Sequence, residues 1–251
     1  MSEVVQKVQL IRHTLSPEEM VALGAKLCYS GAHLADLQAK VEAKDQTAFV
    51  NRIMEMGHDS VLEHTSFTFA VEGVSRVLLA QITRHRLASF SVQSQRYVSY
   101  GAGFGYVIPP KSRALGDEAV EKYCSQMDTM AEWYREWQEK LGNIGEGANE
   151  DARFVLPGAC ETRFLVTMNA RELRHFFSLR MCNRAQWEIR SLATKMHAEV
   201  MQVAPALFAD AGPGCLRGGC PERAKTCGKA DQIRKERQKM LSSLQKPTET
   251  P

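Results

Sequence analysis

The chain has 251 residues, a formal net charge of +3 and 44% hydrophobic residues, a balance typical of a globular protein with a sizeable core. The small net charge does not favour nucleic acid or an anionic membrane as a partner, and no apolar run is long enough to span a membrane. The chain has seven cysteines whose spacing is not that of a disulfide framework, which predicts reduced thiols. The N-terminus does not resemble a signal peptide, so we expect a cytoplasmic protein.

The N-terminal third predicts one strand and two helices. Lys7–His13 alternates as a strand does. Ser16 then opens a helix that extends to about Tyr29, with a capping box and a proline at its first position. A second helical pattern covers residues 46–56.

A histidine-rich stretch follows at residues 57–64, Gly-His-Asp-Ser-Val-Leu-Glu-His. Two histidines with two acids between them invite comparison with a metal site. Zinc-binding helices, however, place histidines at i and i+4, and here they are six apart. A turn capped by Asp59 is the simpler interpretation.

The next stretch carries the strongest chemical signal. Residues 65–71 predict a strand, and a helix is expected from Ser75, its N-cap, to His85. On such a helix Gln81, Arg84 and His85 share a face. Residues 84–97 hold three arginines, a histidine and no acid, a composition that favours an anionic ligand such as phosphate.

Alternation after Ala88 predicts a strand that continues through this basic stretch. Val92, Ser94 and Arg96 would then lie on one face, and Ser91, Gln93 and Gln95 on the other. A helix end and the following strand are therefore expected to converge on one pocket.

The remaining elements complete the predicted fold. The glycine-rich residues 101–105 are expected to form a loop, residues 114–141 a long amphipathic helix, and residues 149–156 a short helix that Pro157 stops. Residues 162–168 predict a strand. Asn169 and Glu172 are expected to form a capping box at the start of the next helix, and residues 183–203 predict another helix. Because strands and helices do not alternate regularly, we expect an α+β fold: a mixed sheet flanked by long helices in a single domain, not a Rossmann fold.

A domain covering residues 1–211 is expected to be followed by a Cys- and Gly-rich, basic extension at 212–251. The tail should be helical from Ala230 to Leu244 and disordered from Lys246. Its cysteines, Cys215, Cys220 and Cys227, lack the Cys-x-x-Cys spacing of most zinc sites. No metal is therefore predicted, and a docked, reduced extension is favoured over a metal site.

Several separated motifs resemble those of the flavin-dependent thymidylate synthases. The resemblance lies in Gly57–His64, in Arg84-His85-Arg86 followed by seven residues and then Ser94, in Arg153 before Leu156-Pro157, and in the segment from Arg180 to Ile189. It implies an FAD-dependent enzyme that methylates dUMP to dTMP. The one-carbon donor would be 5,10-methylenetetrahydrofolate, and NADPH would reduce the flavin.

The resemblance also implies residue roles. It assigns the following residues to the flavin: His58, Ser60, Arg84, His85, Arg86, Asn169, Arg171 and His175. It assigns the following to the nucleotide substrate: Gln81, Arg84, Val92, Gln93, Ser94, Gln95, Arg96, Arg153 and Arg180. Arg180 is the expected catalytic residue, because a cation beside the uracil ring stabilises negative charge that develops there.

The resemblance further implies a homotetramer whose active sites are shared between subunits, and no cysteine nucleophile. One departure stands out: many family members carry Glu or Gln where this chain has Val92. That contact is expected to be lost or made by backbone.

Two other functions fit parts of the sequence. A phosphate- or RNA-binding module would use the same basic stretch and carry no flavin. A relative that keeps the fold but has lost turnover would bind FAD and dUMP and release no dTMP.

Overall fold

The computed structural model describes residues 1–142 and 145–244. Their contacts divide the chain into two compact units. The first unit contains Met1–Gln9 and Phe69–Val166. The second unit contains Leu10–Thr68 and the described residues from Thr167 onward.

Helices and strands mix irregularly, as predicted. The helices are α1 Pro17–Leu27, α2 Leu34–Glu42, α3 Thr47–Glu55, α4 Arg76–Ile82, α5 Pro110–Arg113, α6 Asp117–Lys140, α7 Gly145–Ala152, α8 Ala170–Arg180, α9 Trp187–Val203, α10 Pro205–Phe208 and α11 Ala230–Leu244. The strands are β1 Ser2–Glu3, β2 Lys7–His13, β3 Ser66–Ser75, β4 Ala88–Val92, β5 Gly105–Tyr106 and β6 Glu161–Asn169. Within the described ranges, no helix combines the length and apolarity that a membrane span requires.

The strands form one four-stranded sheet and one small sheet. The order in the larger, antiparallel sheet is β2-β3-β6-β4, and β1 pairs with β5 in parallel. In β6, Thr162, Phe164, Val166 and Met168 are buried in strict alternation, which is the pattern of a strand with one face on a core. The α+β prediction is confirmed, and so is the absence of a Rossmann sheet.

The core of the first unit forms around the long helix α6. Met127, Ala131 and Tyr134 are buried at helical spacing. Tyr134 Oη accepts the backbone N–H of Tyr100 at 3.3 Å. Trp133 and Trp137 lie on another face of the same helix and are each almost half exposed.

Aromatic rings pack edge to face in the core of the second unit. Phe208 contacts Phe67 with ring centroids 5.3 Å apart, and Phe177 contacts His197 at 5.2 Å. On α8, the buried Arg174 binds Asp210 through two bonds, Nη1–Oδ1 at 2.5 Å and Nη2–Oδ2 at 2.7 Å. This bidentate pair fixes α8 against the segment that follows α10.

The start of α1 corrects the sequence-based prediction. Ser16 adopts a left-handed conformation, with φ of 42°, and makes no side-chain cap. The capping box is therefore wrong, although the helix begins at Pro17 as expected. Glu18 instead accepts the backbone N–H of Ala206 at 2.7 Å, a partner that local sequence does not reveal.

The C-terminal extension is helical from Ala230 to Leu244, as predicted. Arg237 Nη1 lies 3.2 Å from Nε2 of His197 on α9, and Arg237 Nη2 donates to the carbonyl of Ala211 at 2.6 Å. The extension is thus docked within the second unit. Residues 246–251, predicted to be disordered, lie outside the described residues.

Stability should depend on pH through His197. Burial and the nearby charge of Arg237 lower the pKa of His197 to about 4, whereas an unfolded histidine titrates near pH ~6.5. The unfolded chain therefore binds more protons between these values, so stability is lost as pH falls through this window. The loss due to His197 is expected to be about 3 kcal/mol.

Chemical unfolding of a His197→Gln variant at a series of pH values from 7 to 4 measures this contribution. The variant should lose less unfolding free energy on acidification than the unaltered chain. His33→Gln, at an exposed position in the second unit, is the matched control and should leave the pH dependence unchanged. Identical slopes for His197→Gln and the unaltered chain would contradict the prediction.

Candidate functional site

The helix before the basic stretch ends earlier than predicted. Ser75 caps α4 as expected, accepting the N–H of Leu78 at 3.0 Å, but α4 stops at Ile82. Thr83 donates from Oγ1 to the carbonyl of Leu79 at 2.9 Å, and the N–H of His85 bonds Ile82 at 3.0 Å. These contacts tighten and close the last turn.

Gln81, Arg84 and His85 therefore do not share a helical face. His85 is buried and Arg84 is exposed. His85 is thus part of the packed structure of the first unit, while the guanidinium of Arg84 faces solvent. The early helix end, not helical periodicity, sets these directions.

Arg84 and Arg86 are exposed and have no side-chain partner in the part of the chain that the structure describes. Neither side chain forms an ion pair or hydrogen bond with any residue that the structure describes. Guanidinium groups left unpaired in one short turn suit an anionic ligand such as a phosphate. The two side chains are therefore accessible to an anionic group.

The strand predicted through residue 96 also ends early. β4 stops at Val92, which is half-buried. Ser94 Oγ accepts the backbone N–H groups of Arg96 at 3.1 Å and Tyr97 at 3.3 Å. This serine turn replaces the strand ladder, so the predicted two-face alternation of residues 91–96 is wrong beyond Val92.

Polar residues after β4 have defined partners in the first unit. Gln95 is buried and donates from Nε2 to Cys160 Sγ at 3.7 Å. Gln93 accepts the Tyr100 hydroxyl at 3.4 Å. Burial raises the pKa of the Cys160 thiol to about 12, which keeps this thiol neutral at physiological pH.

Arg96 is held by carboxylates of α7. Its Nη2 lies 2.7 Å from Glu146 Oε1, and its Nε lies 2.7 Å from Glu150 Oε2. Asn149, which is buried, donates to the Arg96 carbonyl at 3.0 Å. Exposed ion pairs contribute about 1 kcal/mol or less, so an anionic ligand can replace these carboxylates.

Arg153 begins the short 3-10 turn that follows α7. Its Nε donates to the carbonyl of Glu150 at 3.0 Å, and this bond orients the guanidinium group. Arg96 and Arg153 therefore both contact Glu150, one through its side chain and one through its backbone. The helix predicted over residues 149–156 is in fact α7 plus this turn.

A cavity of about 680 Å³ lies against the sheet in the first unit. Its size is that of a small-molecule pocket. Of the predicted site residues, Gln93 lines it, together with Lys7, Glu72 and Arg163. Arg163 was not predicted to line a cavity. Its outward position in the alternating strand β6 is the signal that could have identified it.

Gly57 determines the backbone conformation at the start of the histidine-rich stretch in the second unit. Gly57 has φ of 73°, and the N–H groups of Gly57 and His58 bond the carbonyls of Met54 at 3.1 Å and Ile53 at 3.2 Å. This pattern ends α3 and is accessible to glycine at little cost. It leaves His58 and Ser60 exposed at the start of a 3-10 helix, Asp59–His64.

The N-terminus of α8 stands next to that 3-10 helix. Asn169 Oδ1 accepts the N–H of Glu172 at 2.8 Å, which confirms the predicted N-cap. The N–H of Ala170 bonds the carbonyl of Thr65 at 3.1 Å. Arg171 forms an ion pair with Glu63, so the exposed residues of α8 and the 3-10 helix are joined within the second unit.

The outer face of α8 carries the other predicted residues of the second unit. His175 is exposed one turn after Arg171, at i and i+4 on one face. Arg180 is the last residue of α8 and is half-buried. A cation in the last turn is favoured by the helix dipole.

The acidic partners of the predicted arginines were not predicted. Glu146, Glu150 and Glu63 each bind a predicted site arginine. Glu146 and Glu150 lie four residues apart and close in sequence to Arg153, which is the signal that could have identified these two. Glu63 belongs to the histidine-rich stretch at residues 57–64.

Comparisons with known proteins agree with the motifs. Residues 9–206 match the family model described as thymidylate synthase complementing protein. A flavin-dependent thymidylate synthase of Geobacter sulfurreducens is 52% identical over 230 residues, which is 91% of this chain and 97% of that protein. Another, from Clostridium tetani, is 46% identical and covers 91% of this chain and 96% of that protein.

Two solved structures share the fold. A UMP/dUMP methylase from Streptomyces cacaoi, bound with 5-Br dUMP, aligns with a TM-score of 0.67 and 24% identity over 82% of this chain and 94% of that chain. A thymidylate synthase X from Helicobacter pylori, with FAD and dUMP, aligns with a TM-score of 0.60 and 22% identity over 82% of this chain and 99% of that chain.

Proposed function

The chain belongs to the thymidylate synthase complementing protein family, the flavin-dependent thymidylate synthases, and from this premise we propose that it methylates dUMP to dTMP with FAD as its cofactor. The match to relatives of that name over nearly the whole length of both proteins carries the proposal. The unpaired arginines after α4 support it, because both ligands carry phosphate groups.

The co-substrates follow from the same proposal. The one-carbon donor is 5,10-methylenetetrahydrofolate, and NADPH is the source of electrons. FAD, when bound, supplies the reducing equivalents that turn the transferred methylene into a methyl group. The protein itself binds and orients these ligands and neutralises their negative charge.

The nucleotide is held by cations and by a polar turn. Arg96 and Arg153 neutralise the phosphate, and the Ser94 hydroxyl adds a hydrogen bond. We assign Gln81, Gln93 and Gln95 to the same ligand. Val92 has no polar side-chain atom, so any contact it makes with the nucleotide is made by backbone. The polar contact of the usual Glu or Gln is therefore absent.

Arg180 acts on the uracil ring. Its guanidinium stabilises negative charge on the ring as C5 becomes nucleophilic, which is electrostatic stabilisation of a transition state. Its position at the C-terminal end of α8 favours the cation. No proton transfer by Arg180 is needed, because a guanidinium stays charged at physiological pH.

The flavin is held by cationic and polar groups of both units. In the first unit these are Arg84 and Arg86, with His85 supporting the turn. In the second unit they are His58, Ser60, Asn169, Arg171 and His175. The exposure of His58 and Ser60 supports this assignment, because a ligand can reach exposed polar groups.

The reaction needs no enzymic cysteine. Cys160 is the thiol that bonds a proposed site residue, and its raised pKa of about 12 makes it a poor nucleophile. We expect a Cys160→Ala variant to keep kcat within about threefold of the unaltered chain, since loss of a true nucleophile typically costs about 10⁶-fold.

Steady-state dTMP formation by the Cys160→Ala variant tests this. The visible spectrum of its bound flavin shows whether the variant is folded. Cys124→Ala, at a partly buried thiol beside the core of the first unit, is the matched control for lost packing. A folded Cys160→Ala variant without turnover would contradict a reaction that uses no cysteine.

We further propose a homotetramer with active sites shared between subunits, in the cytoplasm. Trp133 and Trp137 support an interface, because they lie four residues apart and stay almost half exposed in the single chain. All seven cysteines are free thiols, which agrees with a reducing compartment.

The visible absorption spectrum of the purified chain tests the proposal. A flavin spectrum that bleaches when NADPH is added without oxygen, at a rate that dUMP changes, is expected. A colourless chain that takes up no added FAD would refute it and favour a phosphate- or RNA-binding module. A chain that binds FAD and dUMP but yields no dTMP would indicate a relative without turnover.

A further inference from the structure

Four cysteines surround one small cavity in the second unit. Cys182 follows α8, and Cys215, Cys220 and Cys227 come from the C-terminal extension. All four are free thiols. The cavity has a volume of about 10 Å³, which is room for a single small atom or ion.

Two N–H groups hydrogen-bond to the sulfur of Cys227. The backbone N–H of Lys229 and, at 3.8 Å, the Asn183 side-chain amide both donate to it. Gly228, with φ of 73°, forms the turn between Cys227 and Lys229. Hydrogen bonds of this kind hold and orient the thiolates that bind metals.

The four thiols lie close together, since Cys215 interacts electrostatically with Cys220, Cys182 and Cys227. A divalent cation bound by the four sulfurs would displace their protons, because a coordinated thiol is deprotonated.

Two guanidinium groups lie near the cysteines. Arg184 lines the cavity, together with the carboxylate of Glu222. Arg234 donates to the carbonyls of Cys215 and Gly218 and also pairs with Asp231 at 3.0 Å. A divalent ion with four thiolates carries a net charge of −2, which these guanidinium groups would only partly offset.

We propose that Cys182, Cys215, Cys220 and Cys227 bind one zinc ion, in the tetrahedral four-cysteine arrangement of structural zinc sites. Among the described residues, no group of three or more His, Cys, Asp or Glu side chains lies in metal-binding geometry. The four sulfurs would therefore have to move towards the ion as it binds, a coupling common to small metal sites. Gly218 and Gly219 leave open space beside the loop before Cys220.

The site would lock the extension to the end of α8. Cys182 is two residues after Arg180, so the zinc ion would fix the turn that follows this arginine. The spacing of the three tail cysteines did not predict a metal site. The proposed fourth ligand, Cys182, lies far from them in sequence. The zinc proposal does not depend on the proposed enzyme activity.

Metal analysis of the full chain, purified without chelators or metal-affinity resin, tests the site. We expect about one zinc ion per chain. Cys220→Ser should retain less than about a tenth of an ion per chain after dialysis. Cys28→Ser, at an exposed thiol outside the cluster, should still hold about one. Cys220→His, which supplies another zinc ligand, should restore binding even if the serine variant folds poorly.

A chain that holds no zinc after purification, and retains none from added zinc chloride, would overturn the proposal. So would a disulfide among the four cysteines in the intact mass, or iron in place of zinc. The flavin spectrum of Cys220→Ser separates the two proposals. A flavin-binding chain without zinc refutes the metal site alone, and a zinc-binding chain without flavin refutes the enzyme assignment alone.

Discussion

An Arg180→Ala variant is expected to form dTMP about 10²- to 10³-fold more slowly than the unaltered chain. The guanidinium stabilises charge that develops on the uracil ring only in the transition state, and losing one such donor typically costs that factor. Most of the loss should appear in kcat, because an interaction made in the transition state affects turnover more than ground-state binding. Steady-state kinetics with varied dUMP measure it.

Two substitutions serve as controls for this result. Arg180→Lys keeps the charge but loses the planar donor pair, so it should recover only part of the rate. Arg12→Ala removes an exposed arginine elsewhere in the second unit and should leave kcat unchanged. An Arg180→Ala chain with full kcat and a raised KM would show that Arg180 only binds the nucleotide.

An Arg84→Ala variant is expected to bind FAD roughly 10- to 100-fold more weakly. Hydrogen bonds to charged groups contribute about 1.5–3 kcal/mol, and Arg84 has no protein partner among the described residues that could already occupy it. Titration of the flavin-free chain with FAD, followed by absorbance, gives the dissociation constant.

Arg135→Ala is the matched control for the flavin titration. Arg135 is an exposed arginine of the same unit, on α6, and its loss should not change FAD affinity. Equal FAD affinity in the Arg84→Ala and Arg135→Ala variants would remove Arg84 from the flavin site. The phosphate of dUMP would then be its remaining ligand.

The sequence predicted elements well where one face is buried. β2 has the predicted bounds, Lys7–His13, and β6 differs from prediction by one residue at each end. Their alternation reflects a period that the buried face imposes. The helix Leu34–Glu42 was missed because only Leu37 and Val41 are buried on it, too few to create a periodic signal.

The ends of elements could not be predicted. A side-chain hydroxyl determines where two of the elements end. Thr83 closes the last turn of α4, and Ser94 forms the turn after β4. Ser16 shows the opposite error, since a good capping residue adopts a conformation that prevents capping. Side-chain hydrogen bonds of about 1 kcal/mol decide such cases, and periodicity does not record them.

The candidate site was partly predictable in the same sense. Residue types at motif spacing identified the arginines and histidines. Their partners come from elsewhere in the sequence: Glu63 binds Arg171, and Glu146 and Glu150 bind Arg96. Cys182 meets the tail cysteines for the same reason. Contacts between distant segments depend on the packing of the whole chain.

Transfer of label from the donor into the nucleotide tests the central claim most directly. The purified chain is incubated with dUMP, FAD, NADPH and 5,10-methylenetetrahydrofolate labelled at its methylene carbon, and dTMP is isolated by chromatography. Labelled dTMP should form, and its formation should stop when FAD or NADPH is left out. A folded chain that binds FAD and dUMP but forms no labelled dTMP, or one that forms it without flavin, would contradict a flavin-dependent thymidylate synthase.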